Sequence, residues 1–412
     1  MTTPNFKKTR FACYFAYLAI SAVFVLPPML FVTFHEMYNI SYTLLGTLVL
    51  VNFCTQLTID LIFTFLSKYF NIKLTIRIMP LITSVGMLCY AVLPNVFPQF
   101  AYLGLVLGTI IFSVSAGLAE VLISPLVAAM PSDNPEKDMS MLHSLYGWGV
   151  VTNVIIASVF FLIFGTEKWM FLTIFLAILP LIASFLFFTS PFPKMDVSSN
   201  EKSGVKWGKA IILCAICIFL GSAAENTMTN WISSFMENAL QLPKALGDIL
   251  GLAVFALLLA LTRSLYAKFT PNITKTLLAG MVGAAICYVV IGVSGNVILS
   301  FLACILVGIF SAMLWPGTLI LMEEKVPNPG VAAFALMAAS GDFGASIAPQ
   351  MLGIIVDKVS ASSFAINLSQ ATSMATDEIG LKIGMLIASI FPILGIGLLI
   401  YIMKSLKSNV KN

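Results

Sequence analysis

The chain has 412 residues, of which 59% are hydrophobic and 10% are charged, whereas ordinary soluble proteins are roughly 45–50% apolar and about 25% charged. A mean hydropathy of +1.00 over this length excludes a water-soluble enzyme and a disordered scaffold. The net charge of +4 is too small to indicate a nucleic-acid partner. Since a helix that crosses a bilayer needs about 20 apolar residues, the composition predicts an all-α polytopic membrane protein.

Apolar runs bounded by charged residues, Pro and Gly predict twelve transmembrane helices. The predicted spans are 11–34, 43–66, 75–93, 99–129, 141–164, 169–189, 208–232, 245–266, 275–294, 296–321, 330–356 and 381–403. One long polar stretch divides them into an N-terminal six-helix bundle over residues 1–190, a cytoplasmic linker over 191–207 and a C-terminal six-helix bundle over 208–412. The segment 359–378 is predicted to be a long loop on the outer side.

The distribution of basic residues predicts the orientation. If the N-terminus is cytoplasmic and the spans alternate, 18 of the 22 Lys and Arg residues lie at the cytoplasmic side or its boundary. The four on the outer side are Lys168, Lys244, Lys358 and Lys382. This bias predicts a multi-pass protein of the plasma membrane, here a bacterial inner membrane, with both termini in the cytoplasm.

The two halves share a pattern that indicates an internal repeat. In the fourth span Gly117 precedes Pro125, and in the tenth Gly308 precedes Pro316 by the same number of residues. We therefore expect two pseudo-symmetric six-helix bundles. Transporters built from such repeats bind their solute near the middle of the bilayer.

Four acidic residues lie well inside predicted spans: Asp60, Glu120, Glu225 and Asp342. A charge at the bilayer centre costs at least about 2.5–3.5 kcal/mol, and such residues usually face a cavity. No Lys or Arg is predicted to lie comparably deep, and a carboxyl group in a medium of low dielectric constant tends to hold a proton when it lacks a partner. We therefore predict that these residues couple transport to protons, with Glu120 and Glu225 as the first choices.

Polar residues accompany each acid at helical spacing, which indicates a wet face on an apolar helix. From these stripes we predict the polar side chains that line the solute site. They are Asn52, Gln56, Asn226 and Gln350, together with Glu120, Glu225 and Asp342. The alternative is that these groups hold helices together through hydrogen bonds worth about 0.6–2 kcal/mol each.

Two aromatic residues are candidates for stacking on a sugar ring, Trp231 after Glu225 and Trp315 before Pro316. Packing in the protein core is an equally good explanation for both. His143 and Tyr146, at the start of the fifth span, are candidates for a cytoplasmic gate or for a plain helix start. The chain has only two His residues and its seven Cys lie in apolar segments, so we expect neither a metal centre nor a cofactor.

The sequence resembles the major facilitator superfamily and, within it, the fucose:proton symporter family of sugar carriers. The segment Gly117-Leu-Ala-Glu120-Val-Leu-Ile-Ser124-Pro125 is similar to that family's fourth-span motif, and Gly221-Ser-Ala-Ala-Glu225 followed by Trp231 is similar to its seventh. Gly308 to Pro316, Gly344 to Pro349 and Gly353 resemble its tenth and eleventh spans. The resemblance implies that Glu120 is a site for proton and substrate.

The sequence also departs from that family. Ser124 stands where the family commonly has Asn, and the first span has no Asp between Phe11 and Phe34. These differences put a fucose-like substrate in doubt. The fifth span, from Gly147 to Gly149, lacks the Gly-Pro signature of drug:proton antiporters.

These patterns favour a proton-coupled symporter of a small neutral polar solute, a sugar or polyol, that works as a monomer by alternating access. The alternative within transporters is a proton-coupled exporter of drugs or metabolites, since acids attract cations. A membrane receptor or membrane-embedded enzyme is the alternative of another class. Against an enzyme, the sequence holds no phosphate-binding Gly loop and no Ser, His and Asp set at one depth.

Overall fold

The computed structural model describes residues 6–66, 69–132, 135–193, 208–269, 271–326, 330–372 and 374–405, and most of the predicted linker lies outside these ranges. Throughout the described residues the secondary structure is helical, with no strand. The helices of the first half are α1 Lys7–Met29, α2 Phe31–Tyr38, α3 Tyr42–Leu66, α4 Ile72–Val96, α5 Ala101–Ala128, α6 Pro135–Phe164, α7 Trp169–Leu176 and α8 Ile178–Phe188.

The second half contains ten further helices and two π-helical segments, Phe235–Ala239 and Gly247–Ala253. The helices are α9 Lys209–Ser234, α10 Lys244–Leu246, α11 Val254–Phe269, α12 Ile273–Val293, α13 Val297–Ser311, α14 Pro316–Lys325, α15 Gly330–Ser360, α16 Ser363–Thr372, α17 Thr376–Ala388 and α18 Ile390–Ser405.

The number of spans agrees with the sequence prediction. Eleven helical segments among the described residues are long and apolar enough to cross a membrane. A twelfth forms if Leu336–Ser360 and Ser363–Thr372, which meet at a bend of 71°, count as one span. The predicted all-α membrane fold is therefore confirmed.

The prediction of a long outer loop over residues 359–378 is wrong. Helix α15 continues to Ser360, the helix Ser363–Thr372 follows, and α17 begins at Thr376. The Ser, Asn and Thr residues here misled the prediction because they are common in loops. In the structure the hydroxyl of Ser362 accepts a hydrogen bond from the amide of Ala365 at 3.2 Å, and so stabilises the start of α16.

The chain divides into two compact units, residues 1–40 with 51–201 and residues 41–50 with 202–412. The first turns of α3 thus belong to the second unit. There the carboxylate of Asp357 accepts hydrogen bonds from the amides of Tyr42 at 2.9 Å and Thr43 at 2.6 Å. Because the first amides of a helix have no partner within it, this carboxylate supplies the missing acceptors and complements the helix dipole.

In the first unit, glycines let α4 and α5 pack backbone against backbone. A Cβ added to Gly86 would come within 2.5 Å of the amide nitrogen of Phe112, and one added to Gly108 would come within 2.5 Å of the Cα of Tyr90. Small residues at such contacts are characteristic of membrane helices, where close packing replaces the hydrophobic effect as the driving force.

We therefore expect Gly108→Ala to destabilise the first unit by about 1–3 kcal/mol, because α4 and α5 must move apart to admit the methyl group. The melting temperature of the purified protein in detergent measures the effect. Gly397→Ala is the matched control, since nothing lies within 4 Å of its added Cβ. Equal melting temperatures for the two variants would show that this helix contact is looser than the structure implies.

Candidate functional site

In the first unit, the amides predicted to line the site join two helices. The Oδ1 of Asn52 on α3 accepts hydrogen bonds from Ser113 Oγ on α5 at 2.6 Å and from Gln56 Nε2 at 3.1 Å. Asn52 and Gln56 are only 8% and 4% exposed. In this conformation the two amides take part in hydrogen bonds that hold α3 against α5. This is the structural role that we gave above as the alternative to contact with a solute.

Glu120 differs from these amides because its side chain is exposed. It lies two turns before Ala128, the last residue of α5. The exposed Leu103 and Leu107 mark the apolar face of the same helix. At 3.6 residues per turn, Glu120 points roughly 100° away from that face. The carboxyl group therefore opens onto a surface other than the apolar one.

Asp60 on α3 is the second acid of this unit, and its side chain is half-buried. The Asp60 carboxyl group lies within range of the electrostatic field of Glu120. The structure thus brings together two of the four predicted acids. Like charges that interact make each other costlier to ionise, so the protonation of the two groups is linked.

The predicted gate residues have different outcomes. The half-buried Tyr146 on α6 packs edge-on against Phe24 on α1, with ring centroids 5.7 Å apart. It therefore contributes to the contact between α1 and α6. The side chain of His143 lies outside the described part of the structure.

In the second unit, α9 is enclosed along most of its length. The half-buried residues between Gly221 and Met236 are Glu225, Asn226 and Thr229, one helical turn of polar side chains. Glu225 lies near the middle of the continuous helical segment Lys209–Ala239. The Nδ2 of Asn226 donates to the carbonyl of Ser222 at 3.1 Å.

The expectation that Glu225 lacks a basic partner is wrong. Arg263 on α11 donates from Nη2 to both carboxylate oxygens of Glu225, at 3.0 and 3.2 Å. From its place near the end of an apolar run, Arg263 was expected at the cytoplasmic boundary. However, α11 continues to Phe269, and the long arginine side chain reaches inward to α9.

A proline explains why Arg263 is held at this point. A helical carbonyl normally accepts from the amide four residues later, but the residue four after Ala312 is Pro316, which has no N–H. The helix breaks between α13 and α14, and Arg263 Nε donates to the freed carbonyl of Ala312 at 2.8 Å. The sequence did contain a signal for this contact: Pro316 leaves a carbonyl inside a span without its helical N–H donor, and another donor must satisfy it.

The two candidate aromatic residues are packed against protein. Trp231 is 0% exposed, and its Nε1 donates to the carbonyl of Pro349 at 3.0 Å. The half-buried ring of Trp315 lies so close to Gly341 that a Cβ there would clash with it. In this conformation Trp231 offers no surface to a solute, whereas Trp315 keeps part of its ring exposed.

Asp342 and Gln350 both lie on α15. Asp342 is 8% exposed and follows the glycine on which Trp315 rests. Gln350 is half-buried, and its Oε1 is enclosed without a hydrogen bond from the described residues. Nowhere among the residues that the structure describes are three His, Cys, Asp or Glu side chains placed to hold a metal ion.

A second charged cluster lies where α9 gives way to the π-helical segments. The Nζ of Lys244 is 3.1 Å from Glu237 and 3.6 Å from Asp248, whose carboxylate also accepts from Ser233. Lys244 is 9% and Asp248 1% exposed at the side chain. The cluster was not predicted, because the basic-residue pattern places Lys244 on the outer side of the membrane.

The fold and these charged spans define an integral membrane transporter, and the comparison with known families agrees. The sequence profile described as Major Facilitator Superfamily matches residues 11–349. The chain belongs to this superfamily, and it is a transporter and not an enzyme. The more specific resemblance to fucose:proton symporters is not confirmed. A search of curated proteins finds no match.

Solved structures with the same fold include several transporters. A bacterial homolog of the human lysosomal transporter Spinster superposes with a TM-score of 0.77 at 11% identity, covering 98% of both chains. The nucleoside transporter NupG, as a mutant, gives 0.73 at 14% identity, covering 96% of this chain and 100% of that one. A D-xylose-proton symporter gives 0.69 at 16% identity, covering 93% and 96%. At these identities the likeness concerns the fold alone.

We expect Lys244→Met to destabilise the protein by about 3–5 kcal/mol, because it leaves the carboxylate of Asp248 buried without its cation. The change is measured as a lowered melting temperature in detergent. The double variant Lys244→Met with Asp248→Asn removes both charges, so part of the loss is recovered. Lys358→Met, at an exposed lysine, is the control and leaves the melting temperature unchanged. If Lys244→Met melts like this control, the cluster is open to water.

Proposed function

We propose that the protein is a proton-coupled symporter that takes up a small polar solute with several hydroxyl groups, a sugar or polyol, by alternating access. It works as a monomer in the bacterial inner membrane, with both termini in the cytoplasm. The acids Glu120, Glu225, Asp60 and Asp342 are its candidates for proton coupling. Asn52, Gln56, Asn226, Trp231, Trp315 and Gln350 remain candidates for contact with the solute.

The observation that carries this proposal is the exposed carboxyl group of Glu120 within a transmembrane helix. A structural role would favour a buried and hydrogen-bonded group, as at Asn52. An exposed carboxyl group inside a span is instead suited to exchange protons with water. Its electrostatic interaction with Asp60 supports the same role, because a proton on one carboxyl group relieves the repulsion between them.

The similar structures give weaker support for the solute class. One is of a D-xylose-proton symporter and another of a nucleoside transporter. Both of these proteins transport molecules that carry hydroxyl groups on a ring. For this chain the donors and acceptors would come from Asn226 and Thr229, which are half-buried on α9. The amides of Asn52 and Gln56 would have to leave their present hydrogen bonds before they could bind a solute.

The direction of proton movement separates this proposal from the exporter. Reconstituted vesicles are given a solute that stabilises the purified protein in a thermal-shift screen of sugars, polyols, nucleosides and amino acids. A symporter carries protons inward with the solute, so the external medium becomes more alkaline. Resistance of expressing cells to cationic dyes, without such alkalinisation, would favour the exporter.

We expect Glu120→Gln to abolish accumulation of the solute driven by a pH gradient, because an amide cannot bind and release a proton. Exchange of labelled for unlabelled solute across the same membrane should continue, since it needs no net proton movement. Both rates are measured in proteoliposomes. Glu167→Gln, at an exposed glutamate outside the candidate site, is the control and retains both activities. Full gradient-driven uptake by Glu120→Gln would end the coupling role of this residue.

A further inference from the structure

Arg263 is a cation inside a membrane span, paired with the carboxylate of Glu225. Its Nε is engaged by the carbonyl of Ala312 and its Nη2 by the carboxylate of Glu225. Basic residues at such positions are expensive and usually mark a pathway for a solute or ion. The donors of Arg263 that remain free therefore help to determine which class of solute the protein binds.

One edge of the guanidinium group is open. Nη1 makes no hydrogen bond within the described residues, and it is not among the buried polar atoms that lack one. The side chain of Arg263 is 39% exposed, whereas that of Glu225 is 16% exposed. An arginine has five N–H donors in a planar fork that matches a carboxylate, and the two donors of Nη1 remain for a ligand.

The charge balance determines which ligand fits. With Glu225 ionised, the pair is neutral, and an arriving anion would be repelled by the carboxylate already present. With Glu225 protonated, Arg263 carries one uncompensated positive charge. One monoanionic group on the solute restores neutrality, whereas a phosphate monoester, with a charge of about −1.5 to −2 near pH 7, exceeds it.

We propose that Arg263 binds a carboxylate of the solute, and that this carboxylate replaces Glu225 as Glu225 takes up a proton. Before the exchange, ionised Glu225 is paired with Arg263, and a proton and the solute anion are free. Afterwards, Glu225 is a neutral carboxylic acid and Arg263 is paired with the solute. The substrate class is then hydroxylated monocarboxylates, such as sugar acids. This inference rests on the proposed proton-coupled symport and replaces its neutral solute with an anionic one.

The surroundings of Glu225 make this exchange a local one. Tyr288 on α12 donates from Oη to the carbonyl of Ala224 at 2.6 Å, and α15, which packs against α9, carries Asp342. Among the described residues, Arg263 is the charged side chain that forms an ion pair with Glu225. Protonation of Glu225 therefore removes the negative charge that balances Arg263, and the net charge of the pair becomes +1.

The helix break keeps Arg263 in place during the exchange. Its hydrogen bond to Ala312 does not involve Glu225, and Pro316 ensures that no backbone amide competes for this carbonyl. The guanidinium group is thus oriented even when Glu225 is neutral. A pre-oriented group loses less conformational entropy when a ligand binds.

The test measures binding and proton uptake together. Purified full-length protein is titrated by calorimetry with two sets of probes: D-glucuronate, D-galacturonate and D-gluconate, and their neutral counterparts D-glucose, D-galactose and sorbitol. We expect an acid to bind more tightly at pH 5.5 than at pH 8, with the affinity rising by up to about tenfold per pH unit wherever about one proton is taken up per molecule bound. The neutral counterpart binds more weakly and without proton uptake.

Variants assign this behaviour to the pair. In Glu225→Gln the acid should bind equally at both pH values and proton uptake should disappear. In Arg263→Gln binding of the acid should be lost, and Arg263→Lys should restore part of it. The double variant Arg263→Gln with Glu225→Gln leaves no charge unpaired, so it tests loss of binding even if Arg263→Gln alone fails to fold. Lys268→Gln and Glu324→Gln, at exposed residues on α11 and α14, are the matched controls.

The outcomes distinguish the two proposals. Binding of the neutral probes alone, or pH-independent binding of an acid by the wild-type protein, overturns the role of Arg263 and leaves proton-coupled sugar symport intact. Binding of neither set, together with no proton movement in vesicles with any probe, contradicts both. Tight binding of an acid that survives Arg263→Gln places the anion site elsewhere and also overturns this inference.

Discussion

A charged side chain inside a bilayer must meet an opposite charge, a polar backbone group or water, because hydrocarbon supplies none of them. Arg263 meets the first two: Glu225 neutralises it, and the carbonyl of Ala312 accepts its Nε. That carbonyl is available because Pro316 has no amide to donate. A single proline thus frees the carbonyl that holds a cation, the cation pairs with an acid, and α9, α11 and the break after α13 meet at one point.

The sequence predicted the helical elements well, because the need for about 20 apolar residues per span leaves few alternatives. The prediction of secondary structure failed at the polar segment Ser363–Thr372, which forms a helix, because polar residues occur in loops as well as in helices. It also did not anticipate that residues 41–50 group with the second unit. That grouping depends on tertiary contacts such as those of Asp357, which no local pattern encodes.

For the candidate site, the sequence indicated which side chains cost free energy to place inside a membrane span. It did not indicate which of them are in contact. Acids inside spans are visible as exceptions to an apolar pattern, so the sequence marks Glu120 and Glu225 as candidates. The partner of Glu225 was missed because depth along a helix was judged from the backbone position, whereas an arginine side chain reaches well beyond its own turn. The burial of Trp231 was equally invisible, since helical spacing does not say which face of α9 meets α15.

The two units surround an acid inside a span differently. In the first unit Glu120 is exposed and interacts with Asp60, another acid, so the relevant change there is the gain of a proton. In the second unit Glu225 is paired with a cation, so a proton on Glu225 also changes what Arg263 can bind. Only the second arrangement links a proton to an anion by charge balance alone. In the symport proposed above, Glu120 would therefore exchange protons with water and Glu225 would respond to the solute.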